Sequence, residues 1–144
     1  MNYLNIAIVL FVIMETLNVI TLYFFPKSRY GNGPGVFNNI EKAEQDESTW
    51  LFTKYMINWV ANVKLIFIAL LLVIYFIGNE EIKIWATAIM VLSISLYFIT
   101  LHPLIKKLDT MGEITPKGYS KALFGMISGM IIMFLSALIL HFVL

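Results

Sequence analysis

Of 144 residues, 60% are hydrophobic and only 13% charged, at a mean hydropathy of +0.83. Soluble domains carry about 25% charged residues, so this chain lacks the polar side chains to coat a water-facing globule. A net charge of +1 gives no basic field for nucleic acid, and the absence of cysteine removes disulfides, thiolate metal sites and cysteine nucleophiles.

Four apolar segments follow, at about residues 3–25, 58–77, 82–101 and 119–142. Each has roughly the 20 residues that a helix needs to cross a hydrocarbon core. Backbone groups cannot go unpaired in lipid, which leaves helices or a closed barrel, and runs such as LIFIALLLVIYFI do not alternate as barrel strands do. The expectation is an all-α integral membrane protein: a single four-transmembrane-helix bundle over residues 1–144, multi-pass and in the cell membrane.

The first helix lacks the positive leader, the short apolar run and the small-residue cleavage site of a signal peptide, so it reads as retained. Near its middle, FVIMETLNVI carries Glu15, with Asn18 one turn further on the same face. A charge at that depth costs at least about 2.5–3.5 kcal/mol. Glu15 must therefore be neutral and hydrogen-bonded, face water, or hold a counter-ion. Pro26 closes the helix.

The segment 26–49 is the largest polar stretch. Its GNGPG reads as a flexible turn rather than a phosphate cradle, since Pro34 removes an amide donor and no GK[ST] follows. Val36, Phe37, Ile40 and Ala43 fall on one helical face, which predicts a short amphipathic helix on the membrane surface. Lys27, Arg29 and Lys54 are the candidates for headgroup or anion contact, and Ser48 is the candidate cap of the second helix.

The second helix places Lys54, Asn58 and Asn62 on one stripe, with Lys64 pointing elsewhere. Asn58 and Asn62 suit either interhelical bonding or a polar path toward Glu15. Lys64 is expected to snorkel toward the loop side. Direct pairing with Glu15 would have to close a depth offset of about one turn by tilt, or through an asparagine or water. The candidate polar cavity is therefore Glu15, Asn18, Asn58, Asn62 and Lys64.

After the turn at 78–83, the third helix is expected to end or kink at Pro103. The fourth carries Gly125 and Gly129 as a GxxxG helix-packing motif, extended by Gly118 and Ala122, which fits contact within the protomer or a homo-oligomer through this helix. Lysine and arginine cluster in the first and third connections. That bias predicts both to be cytoplasmic, with both termini extracytoplasmic.

His102 and His141 fall at opposite ends of the membrane, so no metal site is expected, nor any cofactor. No catalytic motif accompanies Ser93, Ser95, Ser128 or Ser136. Helix count and an acid near position 15 parallel the small multidrug resistance exporters, but the longer chain and loops depart from that pattern and no family is assigned. The leading expectation is an oligomeric transporter or channel for a small solute or ion, using the membrane-embedded carboxylate. The alternatives are an accessory or assembly subunit, meeting a protein partner at the cytoplasmic loop, and a lipid-modifying enzyme. The expected partners are otherwise the bilayer and no nucleic acid.

Overall fold

The structure, a computed structural model, describes residues 2–30 and 32–143. Helix α1 spans Tyr3–Phe24; a 3-10 turn at Pro34–Val36 and the short α2, Asn39–Ala43, precede the long α3, Glu47–Ile77. Helices α4 (Glu80–Ser95), α5 (Tyr97–Thr100) and α6 (His102–Thr110) follow one another along a third path, and α7 spans Tyr119–Val143. Among the described residues, four helical paths are long and apolar enough to cross a membrane: Tyr3–Phe24, Glu47–Ile77, Glu80–Thr110 and Tyr119–Val143.

Local chemistry sets the ends. The Asn2 side chain accepts from the Asn5 amide at 3.0 Å and starts α1. Asp46, rather than Ser48, caps α3: its carboxylate accepts from the Thr49 amide at 2.8 Å and the Thr49 hydroxyl at 2.6 Å. An ionised acceptor makes stronger hydrogen bonds than a hydroxyl and meets the positive end of the helix dipole, so the helix begins at Glu47, well before the apolar run. These bonds, the Thr49 hydroxyl's first, hold the Asp46 carboxyl below its usual range. The stabilisation from this cap is present above the ordinary aspartate range and is lost as pH falls through the lowered value.

The third path does not stop at Pro103. Ser95 Oγ donates back to Val91 O at 2.7 Å and Thr100 Oγ1 to Leu96 O at 2.8 Å, bonds that bend a helix. Pro103 then has no amide for the ladder. The result is two breaks, at Leu96 and Leu101, after which the helix resumes to Thr110.

Helix α1 lies at the centre, against α3 on one side and α7 on the other, while α4 packs along α7. Its Leu4, Ala7, Ile8 and Phe11 are buried, with Ala61 of α3, Met90 of α4 and Phe134 of α7. Phe11 meets the ring of Phe134 at 5.3 Å and that of Phe67, edge-on, at 5.9 Å. Large apolar side chains also point outward from every path, among them Leu17, Ile66, Ile99 and Ile132. Such an apolar shell suits hydrocarbon as the surrounding solvent.

At one end of the bundle the α1–α3 and α6–α7 connections dock. Asn38 N donates to Glu113 O at 3.0 Å and Thr115 N to Val36 O at 2.8 Å, an isolated antiparallel bridge around Phe37 and Ile114. Lys42 adds an ion pair to Glu113 at 2.8 Å. At the other end Glu80 accepts from the Asn2 side chain at 2.6 Å and lies 3.9 Å from His141 Nδ1. Both longer connections therefore share one end, and the described chain ends share the other with the α3–α4 turn.

The GNGPG stretch is not a loose turn over its described part. A Cβ on Gly35 would lie 2.3 Å from Lys27 C and Ser28 O, so the chain can pass there only without a side chain. Gly35 serves close approach and not a left-handed backbone, which among described glycines occurs at Gly112 and Gly118.

Candidate functional site: a carboxylate on an apolar cavity

Beneath the docked connections a cavity of about 550 Å³ lies between α1, the α1–α3 connection, the broken third path and α7. Its lining is mainly apolar, with Phe11, Leu104 and Ile127 among the walls and Tyr97, Tyr119, Ser93 and Thr100 as scattered hydroxyls. Glu15 is the one charged residue on the wall.

The Glu15 side chain is only 12% exposed and the Lys64 side chain 24%, and Lys64 Nζ donates to Glu15 Oε2 at 2.5 Å. Snorkelling of Lys64 is thereby overturned: its ammonium turns inward to the carboxylate with no bridging residue. The depth offset of about one helical turn is closed by the four-carbon stem, which is long enough to run along the helix surface. In a medium that solvates charge poorly, the pair is the alternative to two stranded ions.

Asn18 does not bridge the pair. Its Nδ2 donates to the backbone carbonyl of Asn32 at 2.6 Å. Asn18 sits six residues before the end of α1, about 9 Å inside it. The connection therefore folds back between the helices, where Asn32 and Gly33 form part of the cavity wall. Irregular backbone at that depth is tolerated where protein or a cavity surrounds it. Asn18 Oδ1 is buried without a hydrogen-bond partner.

The remaining candidates go elsewhere. Asn62 is exposed and accepts from the Tyr23 hydroxyl, fastening the last turn of α1 to α3. Asn58 is half-buried, and neither asparagine lines the cavity. Of the predicted polar set, the structure brings Glu15 and Lys64 together and places only Glu15 on the cavity.

Among the headgroup candidates, Lys27 pairs with Glu44 and sits 5.8 Å from the Trp50 ring, and Arg29 pairs with Glu41 at 2.8 Å. Lys54 is exposed. Gly125 and Gly129 lie on an exposed face of α7 where an added Cβ would meet nothing within 4 Å, so they mediate no close helix contact within the protomer.

Sequence reasoning missed the cavity wall of the third path. Ser93, Tyr97, Thr100, Leu104 and Leu108 recur at helical spacing on one stripe, and that periodicity was the available signal. Among the described residues no cluster of three or more His, Cys, Asp or Glu could hold a metal.

The chain matches no family model, no curated protein and no solved structure. The functional reading therefore stands on the geometry alone. Chemically, an apolar chamber with one carboxylate on its wall suits an amphipathic cation: the apolar part fills the chamber and the charge meets Glu15. Lys64 already occupies that carboxylate, so a ligand cation has to compete with an internal one.

Proposed function

We propose that the protein is a small membrane transporter whose substrate is an amphipathic cation bound in the cavity against Glu15. The observation that carries this reading is the Glu15–Lys64 pair on the edge of an otherwise uncharged chamber. A cation that takes Glu15 releases Lys64, whose long stem then lets its ammonium snorkel toward the loop end. Binding would thus loosen a link between α1 and α3, giving two states that differ in their contact with the ligand, which a transport cycle requires. The lysine-rich loop end is cytoplasmic in this reading, and a second copy against the open glycine face of α7 completes a homo-oligomer.

Proteoliposomes loaded with a panel of lipophilic cations test it. Wild-type protein should support saturable flux, Glu15→Gln should reduce that flux to background while the variant stays folded, and Glu15→Asp should retain part of it. Wild-type vesicles without flux across the panel would count decisively against transport.

A second reading is favoured by the closeness of the same pair: Glu15 and Lys64 act as a structural strut in an accessory subunit. Under it, Glu15→Gln changes stability alone, and gentle detergent extraction recovers a stoichiometric partner that is lost when the α1–α3 connection is deleted.

A further inference from the structure

At the loop end three cations are neutralised by carboxylates: Lys27 by Glu44, Arg29 by Glu41 and Lys42 by Glu113. Among the described residues, five lysines at this end, Lys54, Lys106, Lys107, Lys117 and Lys121, have no ion pair within 4.0 Å. Three of them, Lys106 of α6, Lys117 in the connection and Lys121 of α7, line one recess of about 390 Å³. They come together because the α6–α7 turn folds the two helices side by side.

The recess contains one acid, Asp109, and it is committed. Its carboxylate is buried and accepts from Gly118 N at 2.9 Å, Ser120 N at 2.9 Å and Ser120 Oγ at 2.6 Å, with Lys117 within electrostatic reach. Three lysines against one carboxylate leave an excess of two positive charges among them. Beside them the floor is aromatic: the Phe124 ring lies 5.1 Å from both His102 and Phe98. Below the floor, the α7 surface stays open at Gly125 and Gly129, a shallow strip running from the recess into the apolar span.

We propose that this recess binds a phosphate-bearing anion through Lys106, Lys117 and Lys121. Lysine holds phosphate as a point charge, and convergent ammonium groups supply what one exposed lysine cannot. Two sources share this chemistry: an anionic phospholipid, whose chains would lie over Phe124 and the glycine strip, and a soluble phosphate ester. The residues differ from those bearing on Glu15, so the site stands independently of the transport reading.

The test measures retention of phosphatidylglycerol against phosphatidylcholine by native mass spectrometry of the full chain released from mixed micelles. A second arm adds inorganic phosphate and glycerol 3-phosphate as competitors. Wild-type protein should hold the anionic species preferentially, and the variant Lys106→Gln/Lys117→Gln/Lys121→Gln should bind it about tenfold or more weakly. The all-arginine counterpart should keep binding, and circular dichroism checks that each variant is folded. Lys107→Gln, on the same helix but outside the recess, should change nothing. Retained lipid that resists both competitors identifies a phospholipid site; displacement by them, or binding of them without lipid preference, identifies a soluble ester. The proposal is overturned if wild type prefers neither anion, if the triple glutamine variant binds like wild type, or if Lys107→Gln loses as much.

Discussion

Lys64→Met should destabilise the protein by at most about 3–5 kcal/mol, the range for removing one partner of a fully buried ion pair, since this pair is part-buried. Unfolding followed by circular dichroism in mixed micelles of increasing denaturing-detergent fraction measures it. Glu15→Gln should cost less, because the two residues fail differently. Lysine left alone can swing its ammonium along the helix toward the loop end. Glutamate has two fewer methylenes and sits about midway along α1, so its carboxylate is stranded beside Phe11 and the cavity wall. Combining the changes, Glu15→Gln with Lys64→Met, should recover much of the loss, since replacing both members of a buried pair is often close to neutral. The coupling between the two changes should therefore be large and of the compensating sign. Additive effects would mean that the pair at 2.5 Å contributes little and that Lys64 acts through its stem alone.

The same pair marks how far the sequence could be read. Four helices follow from apolar runs of membrane length, and the alternation of ends follows from helix count, because these depend on the solvent rather than on partners. The cost of Glu15 was likewise legible at once. What a single chain order could not provide was lateral placement. Lys64 and Glu15 are 49 positions apart, and depth counting with a rigid tilt of Cβ favours snorkelling; only the packing of α1 along α3 makes inward reach the shorter path to a counter-charge. Asn18 shows the same limit: it reads as a partner for Glu15 by helical spacing, yet it binds a connection that folds back to its level. Loop polarity hid that, because Asn32 and Gly33 look like solvent-facing residues until the backbone of Gly35 is seen against Lys27 and Ser28. The breaks in the third path were partly legible, at Pro103, while the Ser95 and Thr100 back-bonds needed the rotamers.

Gly35→Ala should also be damaging, and its effect should spread. The added methyl would sit 2.3 Å from the backbone of Lys27 and Ser28, atoms that no rotamer change can move. Overpacking of this kind costs about 1–3 kcal/mol. Gly33→Ala is the control: its Cβ would lie 3.9 Å from Ser28 O, an ordinary contact, in extended backbone that alanine adopts freely. Thermal unfolding in detergent should separate the two, with Gly33→Ala near wild type. Limited proteolysis between residues 27 and 37 should accelerate for Gly35→Ala alone, because lifting the connection also pulls on the Asn18–Asn32 bond. The connection forms one wall of the chamber, so the consequence reaches Glu15: water gains access to its carboxylate from the loop end. In the transport reading, that access appears as uncoupled leak of cations through Gly35→Ala vesicles, while in the strut reading the variant is merely less stable. Equal behaviour of the two alanine variants in both assays would show that the connection does not shield Glu15.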